Sequence, residues 1–200
     1  LAKNGAKVVG IARREDKLKH WCETCEGETS YYSADVSKRK KIKNIVLDII
    51  DKEGEPDILV NAAGINTREH ADDVTLEGWD KTLDLNLSTP FFMAQSVIEG
   101  MKKKNWGRII NYASLASRRA LPSSISYGAS KGGIEQLTRA MAEAWSKYGI
   151  NTNAIAPGFF PTELTVPVFN DTERTKRNAQ QTCIGRNGKL EDLDVPLLFL

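Results

Sequence analysis

A tyrosine and a lysine four residues apart, Tyr127 and Lys131, stand at the head of a long helical pattern within the stretch S-L-A-S-R-R-A-L-P-S-S-I-S-Y-G-A-S-K. Residues i and i+4 share one face of a helix, so both side chains can reach a common ligand. A phenol with a pKa near 10 is a poor acid or base at neutral pH. An ammonium group about one turn away stabilises the phenolate and lowers that pKa, which turns the tyrosine into a proton donor and acceptor for an alcohol/carbonyl pair. Any amphipathic helix can contain this spacing by chance, so the surroundings decide its meaning. Ser114 lies thirteen residues before Tyr127 and follows the apolar run R-I-I-N-Y-A, which reads as a buried strand. It would then sit at the carboxyl end of that strand, where open α/β sheets bind ligands.

The elements needed to position these groups are visible as alternating strand and helix patterns. A helix tail stops at Gly5 and an apolar strand follows over residues 7–11. Residues 37–53 carry Ile42, Ile45, Val46, Ile49 and Ile50, an amphipathic stripe for packing on a sheet. Residues 57–61 read as a second buried strand, ending in Ala62, Ala63 and Gly64, whose small side chains let the backbone approach a ligand closely. Thr75 opens a capped helix. A further helix carries Phe91, Phe92, Val97 and Met101 and ends in Lys102, Lys103 and Lys104, which suit its negative end. The helix bearing Tyr127 continues to about Tyr148 with Ile134, Leu137, Met141 and Trp145 spaced as core or subunit interface, and residues 151–156 form the next strand. Residues 163–185 look polar and irregular, suited to a mobile lid over the substrate.

Composition narrows the classes. Two hundred residues with 40% apolar content suit one domain, and 28 Lys plus Arg against 26 Asp plus Glu give no reason to invoke nucleic acid or a membrane surface. No apolar run approaches the ~18 residues of a membrane span and no signal sequence opens the chain, so a cytoplasmic protein is expected. Three cysteines suit a reducing compartment; Cys22 and Cys25 form a C-x-x-C without a second pair of metal spacing, so no metal site is expected.

Taken together, N-A-A-G at 61–64, Asn86 in L-D-L-N-L, Ser114, Tyr127-x-x-x-Lys131, and Pro157-Gly158 followed by Thr162 resemble the short-chain dehydrogenase/reductase family, in its order and near its spacing. The resemblance implies a Rossmann-type doubly wound parallel sheet in a three-layer αβα single domain. It implies interconversion of a secondary alcohol and a ketone: Ser114 binds the substrate oxygen, Tyr127 transfers its proton, Lys131 depresses the tyrosine pKa and contacts the nicotinamide ribose, and Asn86 holds a water that links Lys131 to solvent. Cofactor contacts are implied for Asp35 and Val36, for Asn61 through Gly64, for Pro157 and Gly158, and for Thr162 at the nicotinamide carboxamide. The sequence has Ala62 where many relatives have Asn. It has Ala12 where an NAD site places a carboxylate, followed by Arg13, which favours NADP(H) over NAD(H).

No G-x-x-x-G-x-G occurs, and the far end stops inside a helical pattern, so the 200 residues are expected to be a domain truncated at both ends. With strand order 3-2-1-4-5-6, an absent strand would lie between those at 7–11 and 57–61. The resemblance also implies a homo-oligomer, dimer or tetramer. Within the family, A-P-G-F-F-P-T-E-L-T and G-R-N-G-K-L-E-D-L are similar to gluconate 5-dehydrogenase-like and 2-deoxygluconate 3-dehydrogenase-like members. Arg68, in the loop after N-A-A-G, is a candidate for a sugar-acid carboxylate, although a plain surface arginine is the default reading from sequence. The competing readings are a 3-oxoacyl-[acyl-carrier-protein] reductase and a catalytically silent NADP(H)-binding scaffold.

Overall fold

The computed structural model describes residues 1–200. Its elements alternate as β1 (Val8–Ala12), α1 (Glu15–Thr24), β2 (Thr29–Ser33), α2 (Arg39–Glu53), β3 (Ile58–Asn61), α3 (Leu76–Leu83), α4 (Thr89–Lys104), β4 (Gly107–Tyr112), α5 (Ile125–Trp145) and β5 (Ile150–Ile155), followed by α6 (Val166–Phe169), α7 (Thr172–Gln180) and α8 (Asp194–Phe199). Every strand pairing is parallel, so each strand needs a crossover to return to the same end of the sheet, and helices supply the crossovers. The ladders are β1-β2 and β3-β4-β5; β1 and β3 are not hydrogen-bonded to each other.

The strand β4 explains the layering. Ile109 and Ile110 point to opposite faces of the sheet, yet they are only 0% and 2% exposed. Helices therefore cover both faces, the arrangement expected of a parallel, Rossmann-like sheet. Ile42 and Val46 of α2, Met101 of α4, Met141 of α5 and Ile150 of β5 join Ile109 in one buried cluster, each contributing about 1.5–3 kcal/mol. Leu137, Trp145 and Tyr148 pack against the same cluster, so the stripe on α5 serves the core of this chain.

Several boundaries differ from the sequence reading. The strand β2 ends at Ser33, short of the implied cofactor contacts at Asp35 and Val36. Asp35 lies beyond it because its carboxylate accepts the Ser37 amide at 3.0 Å and the Ser37 hydroxyl at 2.7 Å, an Asx-type turn that competes with extended backbone. The helix reaching toward Tyr148 ends at Trp145 and tightens into a 3-10 turn over Ser146–Tyr148.

The largest correction concerns residues 163–185, which are helical over most of their length. A 3-10 turn at Glu163–Thr165 leads into α6 and α7, and Asp171 caps α7 by accepting the Arg174 amide at 2.9 Å. Only Val168 and Asn178 are buried there, so no apolar period marked the helices in the sequence.

Candidate active site

The parallel ladder brings the pieces of the site together beyond the strand ends. The Ala113 amide donates to Ile155 O at 2.8 Å and the Leu115 amide to Pro157 O at 2.9 Å, so the β4-β5 register continues into both loops. Ser114 therefore emerges beside Pro157 and Gly158. It caps a 3-10 turn over Leu115–Ser117, its Oγ accepting the Ala116 amide at 3.1 Å. The Ser117 hydroxyl then donates to Lys131 O at 2.8 Å, which ties this turn to α5.

On α5, Tyr127 is half-buried and Lys131 is buried at 6% exposure. Their proximity follows from the helical spacing: Nζ of Lys131 lies 5.8 Å from the Tyr127 ring centroid. Nζ donates to Tyr112 O at 2.5 Å, at the end of β4. Burial brings the Lys131 amine down to about 8. Burial also pushes the Tyr127 phenol up, while hydrogen bonding with Ser114 and the charge of Arg68 pull it down. The Lys131 ammonium is engaged with the Tyr112 carbonyl, and Arg68 adds a second cation near the phenol.

Asn86 occupies a π-helical turn over Asp84–Ser88 between α3 and α4, a distortion often found at functional positions. It is 1% exposed. Its Oδ1 accepts the Ile65 amide at 2.9 Å, and its Nδ2 donates to Ile65 O at 2.8 Å and to Ser130 Oγ at 3.1 Å. The Ser130 hydroxyl passes the link to Tyr127 O at 2.8 Å. Asn86 thus locks the loop after β3 onto the helix that carries Tyr127. A Cβ placed on Gly64 would lie 3.3 Å from Asn86 Oδ1 and 3.7 Å from Lys131 Nζ, so the exposed Ala62, Ala63 and Gly64 run directly past the catalytic candidates.

Arg68 adopts a left-handed backbone, φ 57°, which is uncommon for a residue with a Cβ. Two contacts hold it there: its amide donates to Asn66 Oδ1 at 3.0 Å and its Nη2 to Leu164 O at 2.6 Å. Asn66 is itself fixed by donating to Ser124 Oγ at 3.0 Å. The result is a cavity of about 380 Å³ lined by Ser114, Tyr127, Arg68, Asn66, Leu164 and Arg174 among others. Arg174 escaped the sequence reading because it lay in a stretch taken as featureless. The signal was Asp171, a helix N-cap residue three positions earlier.

Other candidates lie outside the cavity. The Asn61 amide points into the sheet, donating to Asn111 Oδ1 at 2.9 Å, and Asn111 continues to Thr138 Oγ1 at 3.0 Å; its side chain ties β3 to β4. Val36 packs on the core while its carbonyl accepts the Thr89 hydroxyl at 2.9 Å. Thr162 is exposed and caps the 163–165 turn, its amide donating to Thr165 Oγ1 at 2.9 Å. Arg13 is exposed at the end of β1, near enough to Asp35 to lower its carboxyl alongside the stronger Ser37 hydrogen bonds. Arg14 and Lys17 both pair with Glu163, holding its carboxyl down at about 2.

The short chain dehydrogenase family profile matches residues 1–173. The chain belongs to that family. It is accordingly an NAD(P)-dependent oxidoreductase acting on CH–OH groups. Among its relatives, 2-dehydro-3-deoxy-D-gluconate 5-dehydrogenase of Dickeya dadantii is 36% identical over 207 residues, covering 100% of this chain and 80% of the relative. Gluconate 5-dehydrogenase of Gluconobacter oxydans is 34% identical over 203 residues, with 100% and 79% covered. A crystal structure of gluconate 5-dehydrogenase from Burkholderia cenocepacia, in complex with NADP and tartrate, superposes with a TM-score of 0.93 at 31% identity, covering 100% of this chain and 80% of that one.

Proposed function

We propose that this dehydrogenase interconverts a secondary alcohol and a ketone on a sugar acid such as gluconate, with NADP(H) preferred over NAD(H). The observation that carries the reading is the convergence of the Ser114 hydroxyl, the Tyr127 phenol and the Arg68 guanidinium on one cavity. The relatives' activities and the NADP in the Burkholderia structure support it.

The residues present fit a dinucleotide. The open Ala62, Ala63 and Gly64 backbone passes Lys131 and Asn86, and a Cβ at Gly158 would meet nothing within 4 Å. Arg13 would serve the 2′-phosphate, Asp35 and Val36 the adenine end, Asn61 through Gly64, Pro157 and Gly158 the body of the cofactor, and Thr162, Tyr127 and Lys131 its nicotinamide end. When bound, the nicotinamide accepts or donates the hydride.

The chain's own groups handle the proton. Ser114 Oγ holds the substrate oxygen, and Tyr127 delivers or removes its proton. A phenol kept high by burial is a ready donor in the ketone-reducing direction. Alcohol oxidation requires the phenolate, which the charges of Arg68 and Lys131 favour. Lys131 also marks the ribose side, with Asn86 behind it. Arg68 meets the substrate carboxylate with its fork of N–H donors.

The test is Tyr127→Phe, assayed on gluconate, deoxygluconate and an acetoacetyl thioester, with NADPH binding followed by fluorescence. Loss of turnover with cofactor binding preserved is expected. Undiminished activity overturns the assignment, and a wild type that binds NADPH without turning over any alcohol or ketone favours a scaffold.

By the same resemblance, we propose a cytoplasmic homo-oligomer, dimer or tetramer, and a further strand lying between β1 and β3. No helix is long and apolar enough to cross a membrane.

A further inference from the structure

We propose that Arg174 is a second anion-binding residue, gripping the substrate carboxylate together with Arg68. The proposal rests on the sugar-acid reading and names the residue that would enforce it. The cavity around Ser114 and Tyr127 is lined by two guanidiniums and by no Asp or Glu. An enclosed surface with one sign of charge between low-dielectric walls raises the local concentration of the opposite charge.

The two arginines come from separate parts of the chain, Arg68 from the loop after β3 and Arg174 from the first turn of α7. Arg68 gives one of its five N–H donors to Leu164 O. Arg174 engages only its backbone amide, with Asp171. Other arginines of the region are paired: Arg14 with Glu163, Arg119 with Gln181 and Arg186 with Asp192. A half-buried arginine whose side chain has no partner, lining a cavity free of carboxylates, is matched by a carboxylate brought by the ligand.

The position of Arg174 is itself constructed. The Thr175 hydroxyl donates to Val168 O at 2.9 Å, and Asn187 Nδ2 donates to Thr175 O at 3.0 Å. These bonds fix α7 against α6 and against the following loop. Lys176 and Arg177, two and three residues on, are exposed, whereas Arg174 is half-buried at the cavity.

The experiment titrates the NADPH-loaded protein with D-gluconate and with D-glucitol, which has the same carbon chain without the carboxylate. Arg174→Met should reduce the gluconate-to-glucitol affinity ratio about 10- to 100-fold, the range for a lost hydrogen bond to a charged group. Arg174→Lys should retain part of the preference. An unchanged ratio in Arg174→Met, a loss shared equally by glucitol, or a wild type that prefers neither ligand overturns the proposal. So does a parallel loss of NADPH affinity, which would assign Arg174 to a cofactor phosphate. Arg174-dependent binding of gluconate without oxidation would leave this inference standing and remove the activity reading. Gluconate oxidation indifferent to Arg174 would do the reverse.

Discussion

Replacing Lys131 by Met should stabilise the fold while removing a group the proposed chemistry needs. The amine is 6% exposed and sits at about 8, against an ordinary 10.5. At 1.36 kcal/mol per pKa unit, keeping it protonated inside the protein costs roughly 3 kcal/mol at pH 7. Losing the hydrogen bond to Tyr112 O returns about 1 kcal/mol of that, so the variant should gain about 2 kcal/mol. The pH dependence is distinctive. Native Lys131 binds its proton less tightly than the unfolded chain does, so between pH 8 and 10.5 the unfolded state holds more protons and wild-type stability rises with pH. Below pH 8 both states are protonated and the full cost is present. At pH 9.5 the remaining cost is roughly 1.4 kcal/mol, nearly cancelled by the hydrogen bond. Urea unfolding followed by tryptophan fluorescence at pH 7 and 9.5 measures this. With a slope near 2 kcal/mol/M, the midpoint of the Met variant should lie about 1 M above wild type at pH 7 and close to it at pH 9.5. A variant less stable than wild type at pH 7, or a difference independent of pH, refutes the reasoning.

Asn86→Ala should cost about 1–3 kcal/mol, because it strands the part-buried Ile65 amide and carbonyl and removes the donor to Ser130; a urea-unfolding free energy within about 0.5 kcal/mol of wild type would show the links are replaceable. Gly149→Ala should cost more than about 2 kcal/mol, since φ is +72° and the new Cβ would lie 2.2 Å from Asn105 O. A thermal midpoint matching wild type would mean that the turn after α5 relaxes without strain.

The chain's pattern was sufficient for the strands and helices around the cavity because these rest on local periodicity, and the fold class followed from the family resemblance of its motifs. Apolar runs and small-residue turns placed β3, β4 and β5, and the four-residue offset from Tyr127 to Lys131 is a property of any helix. Thr75 was legible as a cap for the same reason, its Oγ1 accepting the Gly78 amide at 3.0 Å. Tertiary structure alone decided which groups face one another. Asn61 turned into the sheet because Asn111 stands beside it in register, and Asn86 closed on Ile65, 21 residues away. Arg68, held in a left-handed turn by Asn66, came to line the same cavity as the phenol, and that cavity acquired Arg174 from a segment without apolar period. Periodicity reports which face of an element is apolar. Distances between side chains on different elements follow from how those faces pack, and no spacing along the chain encodes them.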